Sequence, residues 1–245
     1  DYMDRLKISN LNAYYTNKKQ KTKVLDDVSF SLKQGELLVI LGPSGCGKTS
    51  LLKCICGTLP YDSGVIEISS IDASRLSIKN RNIAYVSQSF FTYGFMSVYN
   101  NIALPLKALK VPLEEIEKRV LDVSKKLEID HLLSRKPKQL SLGQQQRVAI
   151  AKALIKNPDI YLFDEPLSNL DPLVKIELKK LIKQIKEEYN ASMIFVTHDV
   201  NDALYLADKV IIMDNGKIVA DGDIKEIIKN SKNEFVKDFL LIKDE

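Results

Sequence analysis

The run Gly42, Pro43, Ser44, Gly45, Cys46, Gly47, Lys48, Thr49 has the spacing G-x-x-x-x-G-K-[ST], and that spacing suits phosphate. Its glycines let successive backbone N–H groups close around an anion, and a helix starting at its end adds a favourable dipole. In such a loop Lys48 reaches the β- and γ-phosphates of a nucleotide. The Thr49 hydroxyl ligates Mg²⁺, and Ser50 completes the set.

A second pair, Asp164 and Glu165, ends the apolar run IYLF. At the carboxyl edge of a parallel sheet, Asp164 is the Mg²⁺-side carboxylate and Glu165 the group that polarises an attacking water. Alone, such a pair reads as a solvated cap on the next turn; downstream of a phosphate loop, the chemical reading prevails. His198 ends SMIFVT and Gln88 ends IAYVS in the same manner, so both reach that edge. A histidine there can be a satisfied edge residue, but this one shares its edge with Lys48 and Glu165. The Gln88 amide either ligates Mg²⁺ or orients water. His131, beside Leu132 and Leu133, receives no role.

These residues need elements to hold them. ELLVIL, ending at Leu41, is a buried strand before the phosphate loop, and TSLLKCICGTL after it has helical spacing. Upstream, RLKISNL (5–11) and KVLDDVSFSL (23–32) alternate like strands and end at a KQGE turn. GVIEIS and NIAYVSQ are further strands. From about Phe90 to Lys138 the pattern turns helical, with Pro112 at a helix start and acids in its first turn. Then helix QQRVAIAKALIK, strand IYLF, helix PLVKIELKKLIKQIKEEY, strand SMIFVT and helix VNDALYLA alternate. KVIIM turns through Asn215-Gly216 into KIVADG, a hairpin signal. The alternation predicts an α/β fold with a mostly parallel sheet covered on both faces.

Composition narrows the class. Of 245 residues, 45% are hydrophobic and 28% charged, as in globular proteins, and the chain is long enough for a sizeable core. A net charge of +4 from 36 basic against 32 acidic residues gives no case for nucleic acid. No apolar run approaches the roughly 18–20 residues that span a bilayer, and no secretory leader is evident; Met3 reads as the natural start. Three cysteines, Cys46, Cys54 and Cys56, argue for reduced thiols in a cytosol. Cys54 and Cys56, two apart on a helix, diverge and do not form a metal site.

With these pieces in order, nearly the whole chain resembles the ATP-binding subunit of ABC transporters. Gln88 matches the Q-loop, LSLGQ (140–144) the signature, IYLFDEP the Walker B strand, SNLD (168–171) the D-loop and His198 the switch histidine. Tyr15 falls where that family stacks an aromatic on adenine, with Tyr14 an off-by-one alternative. The resemblance implies a P-loop NTPase of ABC type, a single domain over 1–245. Its RecA-like body covers about 1–89 and 157–245, with an N-terminal antiparallel β subdomain and a helical subdomain inserted over about 90–156. It implies a head-to-tail dimer, of identical or different cassettes, with ATP and Mg²⁺ between the subunits. Ser141, Gly143 and Gln144 then face the γ-phosphate in trans, and Asp171 of the D-loop joins the nucleotide-binding set.

The signature usually reads LSGGQ, and here Leu142 replaces its first glycine. A side chain at 142 fits where its Cβ points away from nucleotide, into the helical subdomain or along the dimer seam. Gly143 is kept where backbone must approach phosphate. The resemblance further implies integral-membrane permease subunits gripped by the Q-loop and helical subdomain, and a place on the cytoplasmic face of the membrane. Some of Phe90, Phe91, Tyr93, Phe95 and Tyr99 then belong to a docking groove. Stretches such as SVYNNIALPLK and FDEPLSNLD look like the sugar and polyamine importer branch, with an extracellular solute-binding protein. The sequence ends at Glu245 without the β-rich regulatory domain of many sugar importers, so the solute stays open. A single-cassette ATPase of cluster assembly is the competing class.

Overall fold

The computed structural model describes residues 4–17, 20–89 and 92–240; Met3, Phe90 and Phe91 lie outside them. In chain order come β1 (Asp4–Asn17), β2 (Gln20–Lys33), β3 (Leu37–Leu41), α1 (Lys48–Cys56), β4 (Ser63–Ile68), β5 (Ile71–Asp72) and β6 (Ile83–Val86). Next are α2 (Val98–Ala108), α3 (Leu113–Lys126), α4 (Leu142–Leu154), β7 (Ile160–Asp164), α5 (Pro172–Tyr189), β8 (Ser192–Thr197) and α6 (Val200–Leu206). A hairpin of β9 (Lys209–Asp214) and β10 (Lys217–Gly222) precedes α7 (Ile224–Asn230) and α8 (Glu234–Phe239).

The six-stranded sheet has the order β10-β9-β3-β8-β7-β6, parallel throughout except for β10. Side chains alternate across it and feed two cores. Leu37, Val39, Leu41, Tyr161, Phe163, Met193 and Phe195 join the core shared with the helices α2 to α6. Leu38, Ile40, Ile160, Leu162, Ile194 and Val196 point the other way, to α1 and the second sheet. Strands buried on both faces read as continuous apolar runs, which is why ELLVIL, IYLF and SMIFVT carry no polar alternation.

The second sheet, β2-β1-β4-β5, is antiparallel. Its strands run longer than the sequence suggests: β1 continues past Leu11 through the polar run to Asn17, paired with β2. Asn10 (φ 50°) and Asp27 (φ 55°) break the register, and the Asn10 amide donates to the Asp27 carboxylate at 2.8 Å. Those left-handed residues bend the ribbon and hide the alternation that signals a long strand.

Helix ends follow capping chemistry. The helix after the phosphate loop stops at Cys56, where Gly57 (φ 85°) takes a left-handed cap, rather than running to Leu59 as its apolar spacing suggests. Pro112 caps α3, with Glu114 and Glu115 in the first turn. α2, α3 and α4 pack together between β6 and β7 in sequence, and α4 also touches β6. The Asn215-Gly216 turn (φ 45° and 80°) closes the β9–β10 hairpin as its residues dictate.

Arg81 clamps the C-terminus of α1. Its guanidinium donates to the carbonyls of Cys54 (2.9 Å), Ile55 (2.7 Å) and Ala73 (3.2 Å), and the residue is buried. A cation at the last carbonyls of a helix, here those of Cys54 and Ile55, gains from the helix dipole. Arg81→Met should lower the unfolding free energy by about 2–3 kcal/mol in urea titration, because the Ile55 carbonyl loses its donor and the Cys54 and Ala73 carbonyls keep only the Gly57 and Leu76 N–H groups. A loss below about 0.5 kcal/mol would remove the clamp from the account.

Candidate functional site

Four parallel strands end within two residues of one another. Leu41 of β3 pairs with Thr197 of β8, Val196 with Asp164 of β7, and Phe163 with Val86 of β6. The residues that follow those ends, Gly42 to Ser50, His198, Glu165 and Gln88, therefore leave the sheet at one edge. The phosphate loop bridges β3 to α1, with Gly47 (φ 110°) at the N-cap. No acidic side chain lies in that first turn, so its N–H groups face no built-in anion.

The loop is braced from outside. Gly216 N–H donates to the Cys46 carbonyl at 2.9 Å, and Asp26 N–H to the Gly216 carbonyl at 2.9 Å. A Cβ at Gly47 would stand 2.6 Å from the Val24 carbonyl oxygen, and one at Gly216 would stand 2.8 Å from the same atom. Three backbones meet here at distances only glycine permits. The hairpin turn was legible in the sequence; its contact with the loop was not.

Lys48 is 4% exposed, and its ammonium donates to the Gly42 and Pro43 carbonyls at 2.7 and 2.9 Å. Glu165 Oε1 lies 4.0 Å from the same nitrogen, and Glu165 Oε2 lies 3.3 Å from His198 Nδ1. Lys48, Glu165 and His198 thus form one contiguous line of charge and polarity. Cys46, beside Lys48, is buried, and burial outweighs the nearby ammonium to push its thiol pKa up. It remains a neutral lining atom.

Glu165 has φ 48°, a left-handed conformation that costs a non-glycine residue of order 1–2 kcal/mol. Three hydrogen bonds hold it there. Its N–H donates to Val196 O at 3.0 Å, while its carbonyl accepts from Ser168 N–H (3.2 Å) and Ser168 Oγ–H (2.8 Å). The backbone kink turns the carboxylate off the strand direction and toward Lys48 and His198.

Asp164 accepts from the Thr49 hydroxyl at 3.0 Å on one oxygen and from the Tyr85 hydroxyl at 2.6 Å on the other. Burial and that bond to Asp164 hold the Tyr85 hydroxyl far above its ordinary pKa, so it stays a donor. Sequence reasoning missed Tyr85. Its signal was there: in the strand IAYV, Tyr85 points opposite the buried Ala84 and Val86, toward the Asp164 side. Gln88 is exposed and lines, with Thr49, Tyr85, Asp164 and Lys152, a groove of about 1060 Å³. The groove runs from the phosphate loop to the helical segment, where it meets Pro105.

The oxygen donors Asp164, Thr49 and Gln88 suit a hard cation such as Mg²⁺. Among the described residues no three His, Cys, Asp or Glu side chains gather to hold a metal unaided. A cation here needs substrate oxygens and water to complete its shell, which is the usual way Mg²⁺ binds.

Tyr15 is exposed on β1, paired with Thr22 two residues before Val24 reaches Gly47. Tyr14 points to the opposite face, and the Lys21 ammonium sits 4.3 Å over its ring. Of the two aromatics, Tyr15 keeps a free face. Tyr93 and Tyr99 are partly buried, whereas Phe95 is 73% exposed.

Ser141, Gly143 and Gln144 stand apart from this cluster. Ser141 caps α4, its Oγ accepting from Gln144 N–H (3.3 Å) while the Gln144 side chain accepts from Ser141 N–H (3.0 Å). This reciprocal box leaves the helix start well formed. Among the described residues, no hydrogen bond joins it to Lys48, Glu165 or His198. Leu142, at the first helical position, is 51% exposed and takes no part in the core of the helical segment. A Cβ at Gly143 would stand 2.7 Å from Val174 Cγ1 on α5, so packing within the chain already demands glycine. Asp171 occupies the N-cap position of α5, exposed and without a side-chain capping bond.

The sequence matches the family described as ABC transporter over residues 25–168. It is 40% identical over 238 residues to the sn-glycerol-3-phosphate import ATP-binding protein of Psychromonas ingrahamii, covering 97% of this chain and 63% of that protein. A molybdate/tungstate import ATP-binding protein of Pyrococcus horikoshii is 41% identical, with 96% and 67% covered. A spermidine/putrescine import ATP-binding protein of Vibrio vulnificus is 38% identical, with 96% and 61% covered. The chain therefore spans roughly three fifths to two thirds of the length of these curated relatives. The dimeric ATP-binding cassette MJ0796, in a post-hydrolysis state bound to ADP and Pi, superposes with a TM-score of 0.81 at 33% identity. That match covers 89% of this chain and 98% of the other.

The Gly143–Val174 contact is directly testable. Alanine in an exposed helix normally stabilises by about 1 kcal/mol over glycine, but overpacking costs about 1–3 kcal/mol. Gly143→Ala should lower the thermal midpoint, and adding Val174→Ala should restore it. A single Gly143→Ala variant more stable than the native chain would refute the packing argument.

Proposed function

The chain belongs to the ABC transporter family, and on that premise we propose that it is the ATP-binding and ATP-hydrolysing subunit of an importer. What carries this reading is the line Lys48, Glu165, His198, set 4.0 and 3.3 Å apart beside an anion-ready helix start. The body, residues about 1–89 and 157–245, holds the nucleotide, and the helical subdomain, about 90–156, carries the signature.

Gly42 to Ser50 cradle the phosphates through backbone N–H groups, and Lys48 exchanges its carbonyl partners for phosphate oxygens. Tyr15 stacks on adenine. Thr49, Asp164 and Gln88 would hold Mg²⁺, which would supply charge neutralisation to the phosphates. Tyr85 fixes the Asp164 carboxylate from behind. Glu165 accepts a proton from the attacking water, and His198 donates toward the γ-phosphate while its other nitrogen faces Glu165. Positioning and electrostatics supply the catalysis.

Ser141, Gly143 and Gln144 serve the site of a second subunit, with α4 aiming its N-terminus at that γ-phosphate. Support comes from their separation from Lys48 within one chain and from the dimeric form of the related cassette. Leu142, exposed beside them, lies along the seam between subunits. Asp171 belongs to the same seam.

No helix among the described residues is long and apolar enough to cross a membrane. In the proposed importer, separate permease subunits carry the solute and bind this chain at the cytoplasmic face. The groove between Tyr85, Gln88 and Pro105, with Phe95 exposed, suits an apolar segment of such a subunit. A solute-binding protein outside the membrane completes the system. The relatives named above differ in cargo.

Glu165→Gln should bind ATP, turn over at least 100-fold more slowly and elute as a dimer with ATP in size-exclusion chromatography, since the base is lost while the cradle stays. Lys48→Ala should lose ATP binding. Native-rate hydrolysis by the Glu165→Gln variant would sink the assignment of the base.

A further inference from the structure

Asp202 sits in the first turn of α6 with its side chain only 4% exposed, and it faces Lys179 of α5, itself 13% exposed, at 3.1 Å. This contact is an ion pair; the well-aligned hydrogen bond goes to the other oxygen, where the Thr197 hydroxyl donates at 2.9 Å. Thr197 Oγ1 in turn accepts from Asp199 N–H at 3.1 Å. The residues on either side of His198 are thus tied to one buried carboxylate. Neither Lys179 nor Asp202 belongs to the motifs read from the sequence.

A buried ion pair contributes little net stability, because desolvation offsets most of its attraction, and apolar residues of similar volume often do as well. What a Lys–Asp pair supplies that an apolar pair cannot is direction. The charge of Lys179 fixes one oxygen, so the other presents a single acceptor position to Thr197. The Lys179 ammonium also lies 5.6 Å from the centroid of the Tyr205 ring, a cation–π contact that holds it further. α5 begins directly after the 168–171 turn, whose Ser168 holds the Glu165 carbonyl. The turns bearing Glu165 and His198 therefore hang from the same helix.

Loosening this strut gives His198 somewhere to go. A cavity of about 140 Å³ lies beside it, lined by Glu165, Ser168, Lys175, His198 and Asp202. His198 is 57% exposed and its Nδ1 lies 3.3 Å from Glu165 Oε2, so more than half of the ring surface is open and packing alone fixes its aim only in part. We infer that Asp202, fixed by Lys179, is the positioning residue that aims His198 at Glu165 and the reacting phosphate. The inference rests on the proposed role of His198 in ATP hydrolysis.

The test is a double-mutant cycle on the full chain, with Mg²⁺-ATP as substrate and released phosphate as readout. His198→Ala sets the reference. Asp202→Ala should lower kcat on the order of 10- to 100-fold, the scale of a misaimed group, with KM for ATP changed less than about twofold. Asp202→Glu should recover most of the loss. In the His198→Ala background, Asp202→Ala should cost nothing more, because its effect passes through that ring. Equal cost in both backgrounds, or native turnover of Asp202→Ala, would overturn the inference. If Asp202→Ala does not fold, Lys179→Met and Asp202→Asn go through the same cycle with the same criteria. Native turnover of His198→Ala would instead remove the role of His198 itself, and the inference with it, while Glu165→Gln still reports on the hydrolytic site.

Discussion

The common ending of four parallel strands is the constraint on which everything else depends. Because Leu41, Thr197, Asp164 and Val86 are fixed by ladder register, the groups that follow them leave successive strands about 5 Å apart along one edge before any side chain contributes. The fully apolar strand interiors on two faces keep that register from slipping, since a one-residue shift would exchange the two cores. Chemistry at the edge then needs only short reaches: Lys48 to Glu165, Glu165 to His198, Thr49 and Tyr85 to Asp164.

Around that edge the chain spends conformational strain and close backbone packing where they bear on function. Glu165 is held left-handed by Ser168 and Val196. The phosphate loop is pressed by Val24 and the Asn215-Gly216 turn at distances that exclude a Cβ. Both devices fix direction rather than add stability, and the Lys179–Asp202–Thr197 strut follows the same logic. Strain of this kind persists only where the surroundings over-determine it.

What the sequence revealed and what it hid divide along physical lines. Features governed by spacing within a few residues were legible: the glycine–lysine loop, the apolar strands, the Asn215-Gly216 hairpin and the mostly parallel sheet. Features set by approach of distant segments were not. Gly216 against Cys46, Tyr85 against Asp164, Gly143 against Val174 and Asp202 against Lys179 each join residues tens of positions apart or more. The reading of Gly143 as a phosphate-approach glycine had a second cause it could not see, the valine methyl on α5. The long β1 was hidden because Asn10 and Asp27 interrupt its alternation.

The central claim is that each chain carries two different halves of a site. Mixing two variants tests it most directly: Lys48→Ala, damaged in the phosphate loop, and Ser141→Arg, damaged at an exposed residue of the signature. In a two-fold dimer of one of each, both lesions fall on one site and the other is intact, so equal mixing of two inert proteins should restore ATP hydrolysis to about a quarter of the native rate. A mixture no more active than its separate components would contradict the account.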